Sequence, residues 1–285
     1  QLDKIRNKNP DINEIKKIVD NNKTKISWSR GLFQKLQKKK KLFFDEDKVM
    51  ISQYRPFTKN YVYFDKDLNE VHYQLDKIFN KKIEHNLIIA CTGTGNSNDF
   101  SALMINCLPD LQTMFNSQCY SLNRFSNTIL NEGLFSHKSK NSVNYEKNDN
   151  INNVELENFR KFYSDKNINK NNIFYYIYGL LNSKHFIDQF SNNLKKERIR
   201  IPMVKNKNDF KKFFEIGKKL SEIHINYEKI KKYPCKIINS SKNQKDPKDN
   251  YKVEKMYFGK LNGVINKSEI IYNKYISLQN IPLES

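Results

Sequence analysis

Long apolar stretches are missing from this 285-residue chain: the longest run without a strongly polar side chain, Ile173 to Leu181, has nine residues. A bilayer-spanning helix needs roughly 20, so no membrane helix is expected. Gln1 stands where Met would, and no cationic-then-apolar leader follows it, so the expectation is a fragment of a longer protein without a secretory signal. Cysteine is scarce: Cys91, Cys107, Cys119 and Cys235 show neither the close pairs of a zinc ribbon nor the density of a disulfide framework. Free thiols in a reducing cytoplasm are the expectation. No internal period recurs, which excludes a solenoid.

Several catalytic signatures are missing as well. Thr92-Gly93-Thr94-Gly95 lacks the third glycine of a dinucleotide fingerprint, since Asn98 stands there, and no Gly-Lys-Ser/Thr follows for a P-loop. The turn reads as a tight loop between two elements, whose backbone donors remain available to a phosphate. No Asn/Asp-Pro-Pro-aromatic motif of adenine methylation is present, because Asn9-Pro10 continues into Asp11-Ile12. Asp11, Glu14 and Lys16 match a nuclease pattern only formally, within one short helix. His72, His85, His137, His185 and His224 show no metal-ligand spacing. The expectation is a chain that does no chemistry itself.

What is abundant is positive charge and core-forming residues. Leu, Ile, Val and Phe number 79, about 28% of the chain, above the roughly 20% below which a highly charged chain stays unfolded. Lys and Arg number 51 against 31 acidic residues, a formal charge of +20. Much of this excess reflects general Lys and Asn richness, but its clustering is specific. From Asn21 to Phe44 stand eight basic residues and no acid. Such a stripe attracts a polyanion through counterion release.

The periodicities predict a mixed α+β fold. Asp11 to Asn22 has helical spacing, and residues 1–22 are taken as a helical lead-in from an upstream domain. Strands are expected over Phe57 to Phe64, over Asn86 to Thr92, where a buried strand runs into the Gly93–Asn98 loop, and over Cys119 to Phe125. Residues 136–153 read as an exposed loop or insertion. Ile173 to Leu181 and Phe186 to Leu194 form a helical hairpin, and Phe210 to His224 a further long helix. The aromatic helix at 173–181 is expected to pack inward, with His224 as a hydrogen-bonded core histidine. Residues 239–250 read as a polar loop, and Met256 to Phe258 with Ile270 to Leu278 as a closing pair of strands.

Blocks of sequence carry a resemblance that spans about Lys23 to Ile281. They include Lys25-Ile26-Ser27-Trp28-Ser29-Arg30, Tyr54-Arg55-Pro56-Phe57-Thr58-Lys59, Tyr63-Phe64-Asp65, Leu68-Asn69-Glu70 and Cys91-Thr92-Gly93. Further along come Pro109-Asp110-Leu111, Ser117-Gln118-Cys119, Phe174 to Ser183, Arg200-Ile201-Pro202 and Leu220 through His224 to Asn226-Tyr227-Glu228. In order and spacing they resemble the C-terminal target-recognition (specificity) region of single-chain Type ISP restriction-modification enzymes. That resemblance implies a target-recognition-type fold over residues 23–285 and a double-stranded DNA partner. It also implies an upstream adenine-specific methyltransferase with translocase and nuclease domains, and S-adenosylmethionine, ATP and Mg for those domains but no cofactor for this fragment. Residues 136–153 and 229–255 depart from the pattern.

Target reading needs cations for phosphates and polar side chains for base edges. Arg30, Lys38, Lys39, Lys40, Lys41 and Lys59 are the expected phosphate holders. Arg55, Ser97, Asn98, Gln118, Asn123 and Arg124 are the expected base readers. Arg55 has an internal alternative: stacking on Tyr54 or Tyr61 and pairing with a carboxylate such as Asp65. The rival reading of the whole chain is a protein-interaction domain that docks on a separate methyltransferase or nuclease subunit.

Overall fold

The computed structural model describes residues 11–20, 22, 27–69, 71–79, 86–128, 144–240, 251–253 and 255–283. The chain divides into two compact units, 1–228 and 229–285. Among the described residues no helix is long and apolar enough to cross a membrane. His85, His137, Lys23, Lys25 and the expected loops at 136–143 and 241–250 lie outside the described residues.

The first unit opens with α1 (Ile12–Ile18) and α2 (Arg30–Gln37). Asp11 and Glu14 form a capping box on α1, and the Ser29 side chain caps α2, so each helix starts where a side-chain acceptor meets its orphan N–H groups. Ile15 and Val19 pack on Phe33 and Leu36 in a small satellite core. Next come β1 (Val49–Arg55) and β2 (Thr58–Tyr63), an antiparallel hairpin that β5 (Leu108–Pro109) joins in parallel beside Ser52 and Gln53.

The centre of the unit is β3 (Ile88–Cys91), flanked by β4 (Ala102–Ile105) and β6 (Gln118–Ser121). All four residues of β3 and of β4 are buried. Their period-2 alternation splits them between two cores. Ile89, Cys91, Ala102 and Met104 face the aromatic core, whereas Ile88, Ala90, Leu103 and Ile105 face a second core with Leu108 and Met114. This explains the uninterrupted apolar run in the sequence: a strand covered on both faces has no solvent side to mark with polar residues.

The aromatic core is built by α3 (Asn153–Phe162), α4 (Lys170–Leu181), α5 (Lys184–Lys196) and α6 (Lys207–Ile225). The helical hairpin and the long third helix stand as the periodicity predicts. Helices α4 and α6 touch backbone to backbone at Gly179 and Gly217: a Cβ on Gly179 would lie 2.2 Å from the Phe213 carbonyl oxygen, and one on Gly217 2.0 Å from that of Tyr175. Tyr176 and Tyr178 of α4 are buried with their hydroxyls satisfied. Tyr176 donates to the Pro202 carbonyl at 2.5 Å, and Tyr178 accepts from the Met104 N–H at 2.9 Å while bonding His224 Nδ1. The expected core histidine is therefore present, and the aromatic helix faces inward.

Other expectations change in detail. The strand expected over Cys119 to Phe125 is two strands, β6 and β7 (Asn123–Thr128), separated at Leu122, whose N–H bonds the Leu87 carbonyl. The described part of the expected 136–153 loop contains β8 (Asn144–Asp149), which pairs with β7 residue for residue.

In the second unit, β9 (Lys236–Asn239), β10 (Tyr257–Leu261), β11 (Val264–Ile271) and β12 (Ile276–Gln279) form one antiparallel sheet in the order β10-β11-β12-β9. The expected closing pair is thus three strands, completed by β9 at the start of what read as a loop. Asn262-Gly263, both at positive φ, supply the turn that separates β10 from β11.

Candidate nucleic-acid interface

The β7–β8 ribbon sets which polar side chains face outward. Along β7 the pleat alternates, so Asn123 turns in and Arg124 turns out. Asn123 is 5% exposed. Its backbone N–H donates to Asn86 Oδ1 at 3.2 Å and its carbonyl accepts from Asn86 Nδ2 at 2.8 Å. A side chain so enclosed cannot reach a base edge, which corrects the expectation that Asn123 is a reader. Arg124 is exposed and sits directly across the ribbon from Asn148. Asn148 in turn donates to Ser126 Oγ at 3.0 Å. Asn148 was not foreseen, because a six-residue strand with Asn, Glu, Lys and Asp on it carries no apolar alternation.

Arg124, Ser126 and Asn148 line a cleft of about 630 Å³ together with Lys66, Tyr73 and Lys77. Lys66 is ion-paired at 2.9 Å with Asp76, which also meets His72 Nδ1 at 3.0 Å. Desolvation raises the Asp76 carboxyl, but the hydrogen bonds from Lys66 and His72 outweigh it and hold the group below its usual range. Asp76 is therefore ionised and neutralised in place, and the remaining cations of the cleft face solvent.

A second cluster surrounds the loop after β3. Buried Thr92 closes the loop by donating to the Asp99 carbonyl at 3.2 Å and accepting from the Ser101 N–H at 3.1 Å. Gly93 is required because a Cβ there would lie 2.0 Å from the Asn116 carbonyl oxygen. The N–H groups of Gly93 and Gly95 donate to the carbonyls of Phe115 and Lys195, so neither is left to cradle a phosphate. The tight-loop reading holds, with these two backbone donors already used. Gln118 Nε2 donates to Thr94 Oγ1 at 3.2 Å, and Tyr120 donates to Gln118 Oε1 at 3.0 Å. Ser97 and Asn98 are exposed at the tip, with Asn98 Nδ2 bonded to Asn96 Oδ1 at 2.8 Å. Gln118 is thus tied to the same loop that exposes Ser97 and Asn98, at the opposite end of β6 from Arg124.

The basic stripe divides in two. Lys35 Nζ donates to the carbonyls of Lys66 and Asp67 at 3.0 and 2.6 Å, and Lys40 is ion-paired with Asp67. That pair, led by the Lys40 hydrogen bond, holds Asp67 below the usual carboxylate range. Arg30, Lys38, Lys39 and Lys41 are exposed, on or just after α2. Lys59 is turned inward, over the Tyr227 ring and 3.5 Å from the Ile225 carbonyl at the C-terminus of α6, where a cation meets the negative helix end. Arg55 takes its internal alternative: the guanidinium lies 4.0 Å above the Tyr54 ring and 3.2 Å from Asp110. The carboxylate is Asp110, since Asp65 belongs to Lys48.

Burial pushes Cys107 up to about 11 and Cys119 to about 12, so both stay protonated at neutral pH. Among the described residues no three His, Cys, Asp or Glu side chains are grouped to hold a metal ion.

The model of the Type ISP C-terminal specificity domain matches residues 2–284. Among solved structures, the chain is similar to the ATP-dependent Type ISP restriction-modification enzyme LlaBIII bound to DNA, at 28% identity and a TM-score of 0.73 over 99% of this chain and 17% of that one. It is also similar to a nuclease-deletion mutant of the Type ISP enzyme LlaGI in complex with a DNA substrate mimic, at 30% identity and 0.67 over 99% and 23%. The DrdV–DNA complex shares the fold, at 24% identity and 0.78 over 99% and 26%. No curated protein matches. The chain spans about a sixth to a quarter of the length of these solved chains. With the family model matched nearly end to end and the fold shared over 99% of the chain, this polypeptide belongs to the Type ISP C-terminal specificity domain family.

Proposed function

We propose that this domain recognises a specific sequence in duplex DNA and positions it for adenine-N6 methylation and restriction by other domains of its parent enzyme. The observation that carries the reading is the outward pairing of Arg124 with Asn148 across a two-stranded ribbon beside a lysine-lined cleft. A two-stranded ribbon fits the major groove, where Arg reads guanine and Asn reads adenine by paired hydrogen bonds. Gln118, Ser97 and Asn98 form a second candidate reading edge, and Arg30, Lys38, Lys39 and Lys41 supply phosphate contacts. Lys40, Lys59 and Arg55 stabilise the fold first, through the partners described above. S-adenosylmethionine, ATP and Mg serve the parent's other domains in this reading.

Fluorescence anisotropy on duplexes carrying and lacking the target site tests the proposal. Arg124→Ala should bring the two affinities together, and loss of equal size on every sequence would remove Arg124 from the readers.

A second reading, docking on a protein, is favoured by the outer face of the β1–β2 hairpin. Register places Ile51 beside Tyr61 and Val49 beside Tyr63, with Phe44 stacked on Tyr63 at 5.4 Å. Phe44 and Tyr61 are 77% and 79% exposed. Exposed Asp45, Glu46 and Asp47 follow Phe44 directly in the chain, an acidic border that suits a protein partner better than a polyanion. Its occupant in this reading is a separate methyltransferase or nuclease subunit. Co-elution that survives high salt would support it, because apolar contact outlasts phosphate pairing.

A further inference from the structure

The second unit presents a projecting ribbon that the reading above leaves unused. Strands β10 and β11 pair regularly from Tyr257 with Ile271 to Phe258 with Ile270, and then the register jumps so that Gly259 faces Asn266. The Glu269 carboxylate lies over Gly259, where a Cβ would come within 2.3 Å of Oε2. Gln279 Nε2 donates to Glu269 Oε1 at 2.8 Å, and Asn266 Oδ1 accepts from the Ser268 N–H and hydroxyl at 3.1 and 2.7 Å. Strand β12 joins β11 through Ile270 and Ile271, on the far side of this bulge. Beyond it β10 and β11 continue as a two-stranded finger closed by Asn262-Gly263, at φ values of 51° and 80°.

The finger tip is apolar and faces water. Leu261, Val264 and Ile265 are 66%, 70% and 62% exposed. Residues 259–267 include Lys260 and Lys267 and no acid. The nearest acid, Glu269, is held back over Gly259. The unit as a whole carries twelve lysines against five acidic residues over 229–285, an excess dense enough to favour a polyanionic occupant. A two-stranded tip that pairs Leu261 with Val264 on one face and Ile265 with Lys260 on the other has the form of a wedge that enters a minor groove and parts a base step.

We propose that the β10–β11 finger is a minor-groove wedge, with Leu261, Val264 and Ile265 unstacking one base step and Lys260 and Lys267 holding the flanking phosphates. This rests on the DNA reading above and adds a contact that the Arg124 ribbon does not supply.

The test uses the 285-residue chain with target duplexes carrying 2-aminopurine at successive positions, read by 2-aminopurine fluorescence for unstacking and by anisotropy for affinity. The wild-type chain should brighten the probe at one step. Leu261→Ser with Val264→Ser should abolish that rise and weaken binding roughly three- to tenfold. Lys260→Ala with Lys267→Ala should reduce the log–log salt slope by about 2. Both variants change exposed side chains, and thermal melting matching the wild type would show that the fold is kept. Arg124→Ala should leave the probe signal on the bound complex in place. A wild-type chain that binds without brightening any position overturns the wedge and leaves the DNA reading standing, as does a tip variant that binds and brightens like wild type. No binding to any duplex at low salt overturns the DNA reading itself, and the wedge with it.

Discussion

Asn123 and Arg124 are neighbours in sequence with opposite fates, and the pleat of β7 decides between them. The inward residue completes a hydrogen-bonded pair with Asn86, while the outward one meets solvent beside Asn148. Arg124→Ala should therefore cost about 1–3 kcal/mol of discrimination at one base pair, measured as the ratio of affinities for matched and mismatched duplexes. Lys39→Ala should instead weaken all sequences alike and lower the salt slope by about 1. His224 gives a prediction of another kind. Burial against Tyr178 and Phe57 depresses its imidazole below the ordinary histidine range. A base with a depressed folded pKa takes up its proton more readily when unfolded, so its stabilisation is complete above the unfolded value of about 6.5 and is lost as pH falls below it. Melting temperature should drop on acidification from pH 7.5 toward 5.5, and His224→Gln should flatten that dependence. An unchanged slope in the variant would place the titrating group elsewhere.

At the level of elements, the contact of α4 with α6 depends on two glycines that leave no room for a methyl group. Gly217→Ala should destabilise the first unit by about 1–3 kcal/mol despite alanine's better helix propensity, because overpacking against the Tyr175 carbonyl outweighs that gain. A melting temperature equal to or above wild type would contradict the close approach. These helices, and the buried β3, were legible because apolar spacing at 3.6 or a continuous apolar run marks them directly. Strand β1 was not, since its two buried residues, Ser52 and Gln53, are polar. Helix α2 was hidden within the lysine stripe, although Leu32, Phe33 and Leu36 are its buried face. The ribbon β7–β8 carries only Phe125 and Tyr145 among polar residues, so pairing rather than periodicity defines it. That is why the candidate site was half visible: Arg124 and Gln118 could be picked out as loop-end polar residues, but the partner strand that brings Asn148 beside Arg124 could not.

For the whole molecule, net charge identified a class of partner but not the surface that meets it. Several of the cations that a count assigns to phosphates are spent internally, Lys35 and Lys40 on the Asp67 turn, Lys59 on the end of α6 and Arg55 on Asp110. Arg30, Lys38, Lys39, Lys41 and Arg124 are exposed, as are Lys260 and Lys267 of the second unit. The family match and the ribbon geometry converge on one claim, that this domain selects a DNA sequence for other domains to act on. Enrichment of bound duplexes from a randomised library tests that claim most directly. The account predicts one motif for the wild-type chain, with Arg124→Ala and Asn148→Ala each losing information at one or two positions of it. Uniform recovery of all sequences at low ionic strength, with wild type and variants alike, would contradict it.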